Sequence, residues 1–253
     1  MSQRIAIVMA AGKGTRMKSE LPKVLFPVLG RPMIQYVIDA LEDAGVAQII
    51  VVVGYRAEDV KHELGGRQGI RFALQVEQLG TGHAVMMCRD LIANHDGPVL
   101  VVAGDSPMMQ PASIQALFAE FDRSHPACIL GTAHKKNPTG LGRVVRDSNH
   151  RFAGIVEEKD ATPEQKRITE VNLSTYVFNG PDLLTALNQI QSNNAQREYY
   201  LTDCPAALSR AGKDVRALDV LQPCEALSIN NLDELREVEG EMQRVKSEVG
   251  TLS

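Results

Sequence analysis

Three short stretches, residues 5–9, 48–53 and 99–103, are apolar almost from end to end and rich in Val and Ile. Branched Cβ atoms suit an extended backbone, so each reads as a strand. A strand with one face in water alternates apolar and polar residues. These do not, so both of their faces must be covered. Segments with helical spacing separate them. Met33, Val37, Leu41 and Ala44 recur at three- and four-residue steps, with Arg31-Pro32 at the entry and Gly45 as the stop. Residues 57–64 predict a second helix ended by Gly65-Gly66, residues 71–76 another strand, and residues 82–93 a third helix. Strands alternating with helices predict an α/β fold: a mostly parallel sheet with helices on both faces.

The second half is less regular. Residues 111–123 predict a helix, 127–133 a strand, 140–157 a loosely alternating hairpin, 174–178 a strand and 182–190 a helix. No stretch rich in Pro, Gly or Ser divides the chain. One domain of two lobes over residues 1–230 is therefore expected, followed by a C-terminal helix over 231–253. Asn231 can cap that helix. Leu232, Leu235, Val238, Met242, Val245 and Val249 then form an apolar stripe at three- and four-residue steps. Such a stripe either packs on its own domain or joins two copies into a homo-oligomer.

The 253 residues, 44% hydrophobic, suffice for a sizeable core. No apolar run approaches the ~18 residues of a membrane span. The first residues, Met1-Ser2-Gln3-Arg4, lead straight into a strand and do not resemble a signal peptide. Cys88, Cys128, Cys204 and Cys224 are far apart, without metal or redox spacing, and read as small apolar residues in a reducing cytoplasm. A formal net charge of −4 argues against general nucleic-acid binding, which needs a basic face. It also means that a polyanion must be met by locally concentrated cations.

Such cations follow the first strand, in Met9-Ala10-Ala11-Gly12-Lys13-Gly14-Thr15-Arg16-Met17 and Leu21-Pro22-Lys23. A glycine-bearing loop can bring backbone N–H groups close to an anion, and Arg16 and Lys23 add charge beside it. The spacing is not that of a P-loop, because Gly12 and Gly14 are too close and no Lys-Ser/Thr follows. It is not a dinucleotide fingerprint either, since Met17 holds the place of the third glycine and the strand ending at Gly54 carries no acid for a ribose. Asp105 closes the apolar strand Val99 to Ala103 through Gly104. A carboxylate there suits Mg²⁺ or serves as a turn residue. No Ser-His-Asp or Cys-His arrangement stands out.

The loop resembles the signature of the sugar nucleotidyltransferases, A-(A/G)-G-x-G-T-R-(M/L) followed by P-K. Further blocks of that family occur in order: Gln75 through Gly80-Thr81-Gly82-His83, Gly104-Asp105, Pro138-Thr139-Gly140-Leu141-Gly142-Arg143, Ile155-Val156-Glu157-Glu158-Lys159 and Asn230-Asn231. Together they resemble the uridylyltransferase domain of the bifunctional bacterial enzymes that make UDP-N-acetylglucosamine. The resemblance implies a Rossmann-like mixed sheet of the nucleotide-diphospho-sugar transferase type. It also implies attack by a sugar 1-phosphate on the α-phosphorus of UTP in the cytoplasm. It implies no acetyltransferase activity, since hexapeptide repeats are absent from these residues.

By the same resemblance, Arg16, Lys23 and Asp105 carry the chemistry, with Mg²⁺ on Asp105 and Asn230. Met9, Ala10, Ala11, Gly12, Lys23, Gln75, Gly80, Thr81, Ala103 and Gly104 hold the nucleotide. Gly142, Glu157 and Asn172 hold the sugar. Taken alone, Gln75 reads as a surface strand residue, Glu157-Glu158 as a charged turn and His83 as structural. The chain departs from the family at Leu25-Phe26, at Ala103, and at Asn172-Leu173-Ser174 where Asn-Thr-Gly is usual. A hexosamine phosphate other than N-acetylglucosamine 1-phosphate, another nucleotide base, and a silent nucleotide-sugar sensor are the competing expectations.

If Arg16 stabilises phosphate charge in the transition state, Arg16→Ala lowers kcat roughly 10²- to 10³-fold. Steady-state rates within a few-fold of the unaltered chain would rule out that role.

Overall fold

The computed structural model describes residues 3–14, 20–227, 229 and 231–250. Its centre is a mixed sheet in the order β11-β7-β10-β6-β1-β4-β5. The first half supplies β1 (Ile5–Ala10), β4 (Gln48–Val53), β5 (Ile70–Leu74) and β6 (Pro98–Ala103), all mutually parallel where they pair. The second half supplies β7 (Cys128–His134), β10 (Glu170–Asn179) and β11 (Val215–Asp219). β10 runs antiparallel to both β6 and β7, and β11 pairs parallel with β7. A hairpin of β8 (Gly142–Arg146) and β9 (Phe152–Val156) attaches through β8 to the start of β10.

The apolar strands have the physical cause expected of them. On β1, β4 and β6, Ile7, Ile50, Val52, Val99 and Val101 enter one core, with α3 (Thr81–Met86), α6 (Gly180–Leu187) and α7 (Asp203–Arg210). The alternating Ala6, Val8, Val51, Val53, Leu100 and Val102 enter the other, with α1 (Met33–Asp43), α2 (Ala57–Leu64) and α5 (Pro111–Ser124). With apolar cover on both faces, no position is left for a polar residue.

The connections from β1 through α1 and α2 move outward to β4 and β5. The chain then returns across the sheet, through α3 and α4 (Arg89–Ile92), to place β6 on the other side of β1. The strand order reverses between β1 and β6, and a crevice opens beyond their carboxyl ends.

Several details differ from the sequence reading. The helix expected over 82–93 is two helices, broken where Cys88 adopts φ −93° and ψ 0°. Arg31 and Pro32 form a two-residue strand, β3, against β2 (Pro27–Val28), and α1 begins directly after it. The strand expected over 174–178 is longer, because its first residues pair with β7 and β8. α7 and β11 have no counterpart in the sequence reading. Pro205 looks like a helix breaker but falls in the first turn of α7, where no intrahelical N–H bond is lost.

The C-terminal helix is present as α8 (Leu232–Gly250), capped by Asn231, whose Oδ1 accepts from the backbone N–H of Asp233 at 3.0 Å and Glu234 at 2.9 Å. Val238 and Met242 are buried against Val28, Met33, Met108 and Ile229, so this part of the stripe packs on its own domain. Leu232 is exposed, and the Val249 side chain lies outside the described residues. The four cysteines are free thiols. Cys88, Cys128 and Cys204 are buried, and desolvation raises each thiol pKa, that of Cys88 to about 12. They behave as inert apolar side chains. Among the described residues no helix is long and apolar enough to cross a membrane.

Candidate active site

Two cavities open at the crevice between β1 and β6. One, of about 410 Å³, is lined by Met9, Ala10, Ala11, Gly12, Lys23, Gln75, Gly80 and Thr81, among others. The other, of about 880 Å³, is lined by Ser106, Lys135, Asn137, Gly140, Leu141, Asn172 and Asn231, among others. Ala103, Asp105 and Ser174 line both, so the cavities meet there. Arg16 and Asn230 lie outside the described residues.

The junction is built by close packing. Gly104 follows β6 and donates its N–H to the Met9 carbonyl at 2.9 Å. A Cβ at Gly104 would lie 3.0 Å from that oxygen and 3.2 Å from both Val24 and Val8 side chains. A side chain here would have to push these neighbours aside by a few tenths of an ångström, and the turn places Asp105 across from Lys23. Lys23 opens a short 3-10 turn after Pro22, and its Nζ lies 2.7 Å from Asp105 Oδ2. The cation and carboxylate named from sequence are thus one ion pair, half-buried at the meeting of the cavities.

Gln75 is 3% exposed rather than a surface residue. It follows β5 and donates its backbone N–H to Val53 at 2.8 Å, which extends the β4–β5 ladder by one bond. Its side-chain Nε2 donates to the Gly80 carbonyl at 3.1 Å and lies 3.1 Å from His83 Nδ1. The amide oxygen takes part in neither contact. Gly80 has φ +109°, and a Cβ there would come within 2.6 Å of the Tyr199 carbonyl. That close approach fits the loop to the segment at Tyr199, whose N–H donates to Leu79 at 2.8 Å and whose carbonyl accepts from Gly82 at 2.7 Å. The Thr81 hydroxyl accepts from Leu201 N–H at 3.0 Å. The same segment brings Glu198 to the cavity, a residue that no local pattern marks.

The three residues assigned to the sugar come together. Gly142 is the register partner of Asn172. A Cβ at Gly142 would be 3.5 Å from Glu157 Oε2 and 3.6 Å from the Asn172 Cβ. Of the three, only Asn172 lines the larger cavity. Behind them stands an ion pair that no sequence pattern marks as a pair. Arg143 is 1% exposed, and its Nη2 donates to Glu158 Oε2 at 2.7 Å and its Nη1 to the Leu141 carbonyl. Glu158 Oε2 also accepts from Gly140 N–H at 3.2 Å, so the pair fixes the loop on the cavity wall. The charged turn is thus half structural.

Glu157 accepts from Thr202 Oγ1 at 3.0 Å. Burial raises its carboxyl pKa above the usual range despite that bond. A carboxyl whose pKa is raised by folding loses stability as the pH climbs past its unfolded value, because the folded state resists ionisation. Glu157→Gln keeps an acceptor for Thr202 without the charge. It is expected to melt above the unaltered chain near pH 7, with the difference shrinking as the pH falls toward the ordinary Glu range. A difference that stays constant with pH would contradict this.

The chain is similar to proteins already known. The MobA-like NTP transferase domain matches residues 6–200. The bifunctional protein GlmU of Enterococcus faecalis is 42% identical over 231 residues, covering 91% of this chain and 50% of that protein. GlmU of Lactococcus lactis subsp. lactis is 46% identical over 242 residues, 95% of this chain and 52% of its own length. The chain spans about half the length of the curated relatives it matches. Among solved structures, UDP-glucose pyrophosphorylase complexed with UDP-glucose superposes with a TM-score of 0.78 at 16% identity, covering 96% of this chain and 99% of that one. A putative glucose-1-phosphate thymidylyltransferase from Bacillus anthracis gives 0.77 at 19% identity, covering 94% of each chain. At those identities the structures speak to the fold, which is the mixed sheet expected. The matched residues, 6–200, include all those that line the smaller cavity, and the chain belongs to the MobA-like NTP transferase domain family.

Proposed function

We propose that the chain transfers UMP from UTP to N-acetylglucosamine 1-phosphate, giving UDP-N-acetylglucosamine and pyrophosphate. The observation that carries this reading is the pair of cavities that meet at Asp105, with Lys23 on the shared wall. A reaction between two phosphate esters needs two such pockets with charge control at their boundary. The similarity to the GlmU proteins, at 42–46% identity for the two described above, supports the choice of substrates.

In this reading the nucleotide occupies the smaller cavity. Backbone groups of Met9, Ala10, Ala11 and Gly12 face the nucleoside and phosphates. The Gln75 oxygen accepts from an N–H on the uracil edge, held in orientation by its own bond to Gly80. The sugar 1-phosphate occupies the larger cavity, against Asn172 and the wall made by Gly142 and Glu157. An oxygen of its phosphate attacks the α-phosphorus. The new O–P bond forms as the bond to the β-phosphate oxygen breaks, and pyrophosphate carries away the charge. The attacking oxygen is already anionic near neutral pH, so no side-chain base is required. What the protein supplies is alignment and charge neutralisation, with Lys23 and Arg16 as the cations.

A divalent cation suits the donor set. Mg²⁺ takes one or two carboxylates from protein and the rest of its ligands from phosphates and water. Asp105, a carboxylate at the boundary, meets that requirement, and Asn230 is its proposed companion. Bound there, Mg²⁺ would offset charge on the phosphates. A reducing cytoplasm, with the four cysteines as free thiols, belongs to the same proposal.

The test is pyrophosphate release with Mg²⁺, a panel of nucleoside triphosphates and a panel of sugar 1-phosphates. The expected result is release with UTP and N-acetylglucosamine 1-phosphate at least about tenfold faster, in kcat/KM, than with CTP, GTP or glucose 1-phosphate, a margin of one to two hydrogen bonds. Release with UTP but preferentially with N-acetylgalactosamine 1-phosphate would correct the sugar. UTP binding without any release would replace the enzyme with a sensor.

A further inference from the structure

Ser174 combines three observations that neither the fold nor the assigned site residues account for. First, it lies in an irregularity of β10. Asn172 pairs with Thr132 and the next pair is Tyr176 with Leu130, so β10 advances four residues while β7 advances two. The bulge falls where β10 exchanges one neighbour for another, β8 at Asn172 and β6 from Thr175 onward. Second, its backbone is left-handed, with φ 55°. Glycine adopts that region without strain and serine does not. Third, it lines both cavities, and none of the other described non-glycine residues with positive φ, Leu29, Arg56, His125, His150 and Arg197, lines either.

If the bulge needed only a left-handed residue, glycine would serve it better. The backbone is already braced, since Ser174 N–H donates to Asn172 Oδ1 at 3.3 Å. The side chain therefore has its own purpose at the meeting of the cavities. Local strain retained at a site is a mark of such a purpose. We propose that the Ser174 hydroxyl donates a hydrogen bond to a non-bridging phosphate oxygen of the incoming sugar 1-phosphate and turns its attacking oxygen toward the nucleotide. No bond to Ser174 is made or broken. The proposal rests on the uridylyl-transfer reading above. It adds a substrate contact at a residue that lines both pockets, where the reacting phosphates must meet.

The test compares Ser174→Gly and Ser174→Ala with the unaltered chain. Pyrophosphate release is measured with UTP saturating and N-acetylglucosamine 1-phosphate varied, then with the roles reversed, beside thermal melting. A hydrogen bond to a charged group predicts a loss of about 10- to 100-fold in kcat/KM for the sugar phosphate in both variants. KM for UTP should move less than about twofold. Ser174→Gly should melt at or above the unaltered chain, because the left-handed strain is gone, so its loss of activity cannot be blamed on unfolding. Ser174→Ala with unchanged kcat/KM for the sugar phosphate overturns the proposal, whatever Ser174→Gly does. A loss confined to KM for UTP overturns it as well. No release by the unaltered chain with any hexosamine 1-phosphate is a different failure: the uridylyl-transfer reading falls, and this proposal with it.

Discussion

The ion pair between Lys23 and Asp105 joins two loops that are distant in sequence and adjacent only because β6 lies beside β1. Its position gives it its character. A fully exposed pair would be screened by water and salt, and a fully buried pair would bear a large desolvation cost. This one is half-buried on the wall shared by two cavities. Each partner is thus neutralised by the other and still within reach of a ligand. In the proposed reaction a triphosphate competes for the ammonium and a divalent cation for the carboxylate. In that proposal the pair is where the charge of both substrates is managed.

The rest of the molecule holds that pair in place. Two cores clamp the sheet from opposite faces, and the central strands donate alternate side chains to each. Close-packed interiors leave little freedom for backbone shifts, so the carboxyl ends of β1 and β6 are held where the packing sets them. Gly104, hydrogen-bonded to Met9 and so placed that a Cβ would crowd Val8 and Val24, transmits that rigidity to Asp105. At the larger cavity, the buried Arg143 performs the same service through Glu158 for the loop at Gly140. The candidate site is built largely on loops, and the positions of the loops are set by the sheet.

The central strands are easy to read in the sequence, because a short unbroken run of Val and Ile suits a strand covered on both faces better than any other element. Residues 48–53 and 57–64 match β4 and α2 at both ends. Local pattern is weaker where structure depends on distant partners. β11 is a half-exposed edge strand without an apolar run, and only its pairing with β7 defines it. The site shows the same division. Lys23 and Asp105 stand in short motifs with local cues, and the fold brings them into contact. Gln75 reads as superficial from its neighbours in sequence because its burial comes from the loop at Gly80 and His83. Glu198 and Ser174 reach the cavities through long-range pairing and a strand irregularity, neither of which leaves a periodic signal. Asn172-Leu173-Ser174 does stand out as a departure from the family, and that departure coincides with the left-handed residue.

Two mutually repelling phosphate esters can react quickly only if something holds them in line and offsets their charge. That function belongs, in the proposed reaction, to the seam between the two cavities. A crystal of the chain with a bound uridine nucleotide tests this most directly. The predicted result is phosphates over the backbone of Ala11 and Gly12, with Lys23 Nζ within hydrogen-bonding distance of a phosphate oxygen and the base beside Gln75. A nucleotide seated elsewhere, with that loop and Lys23 untouched, would contradict it.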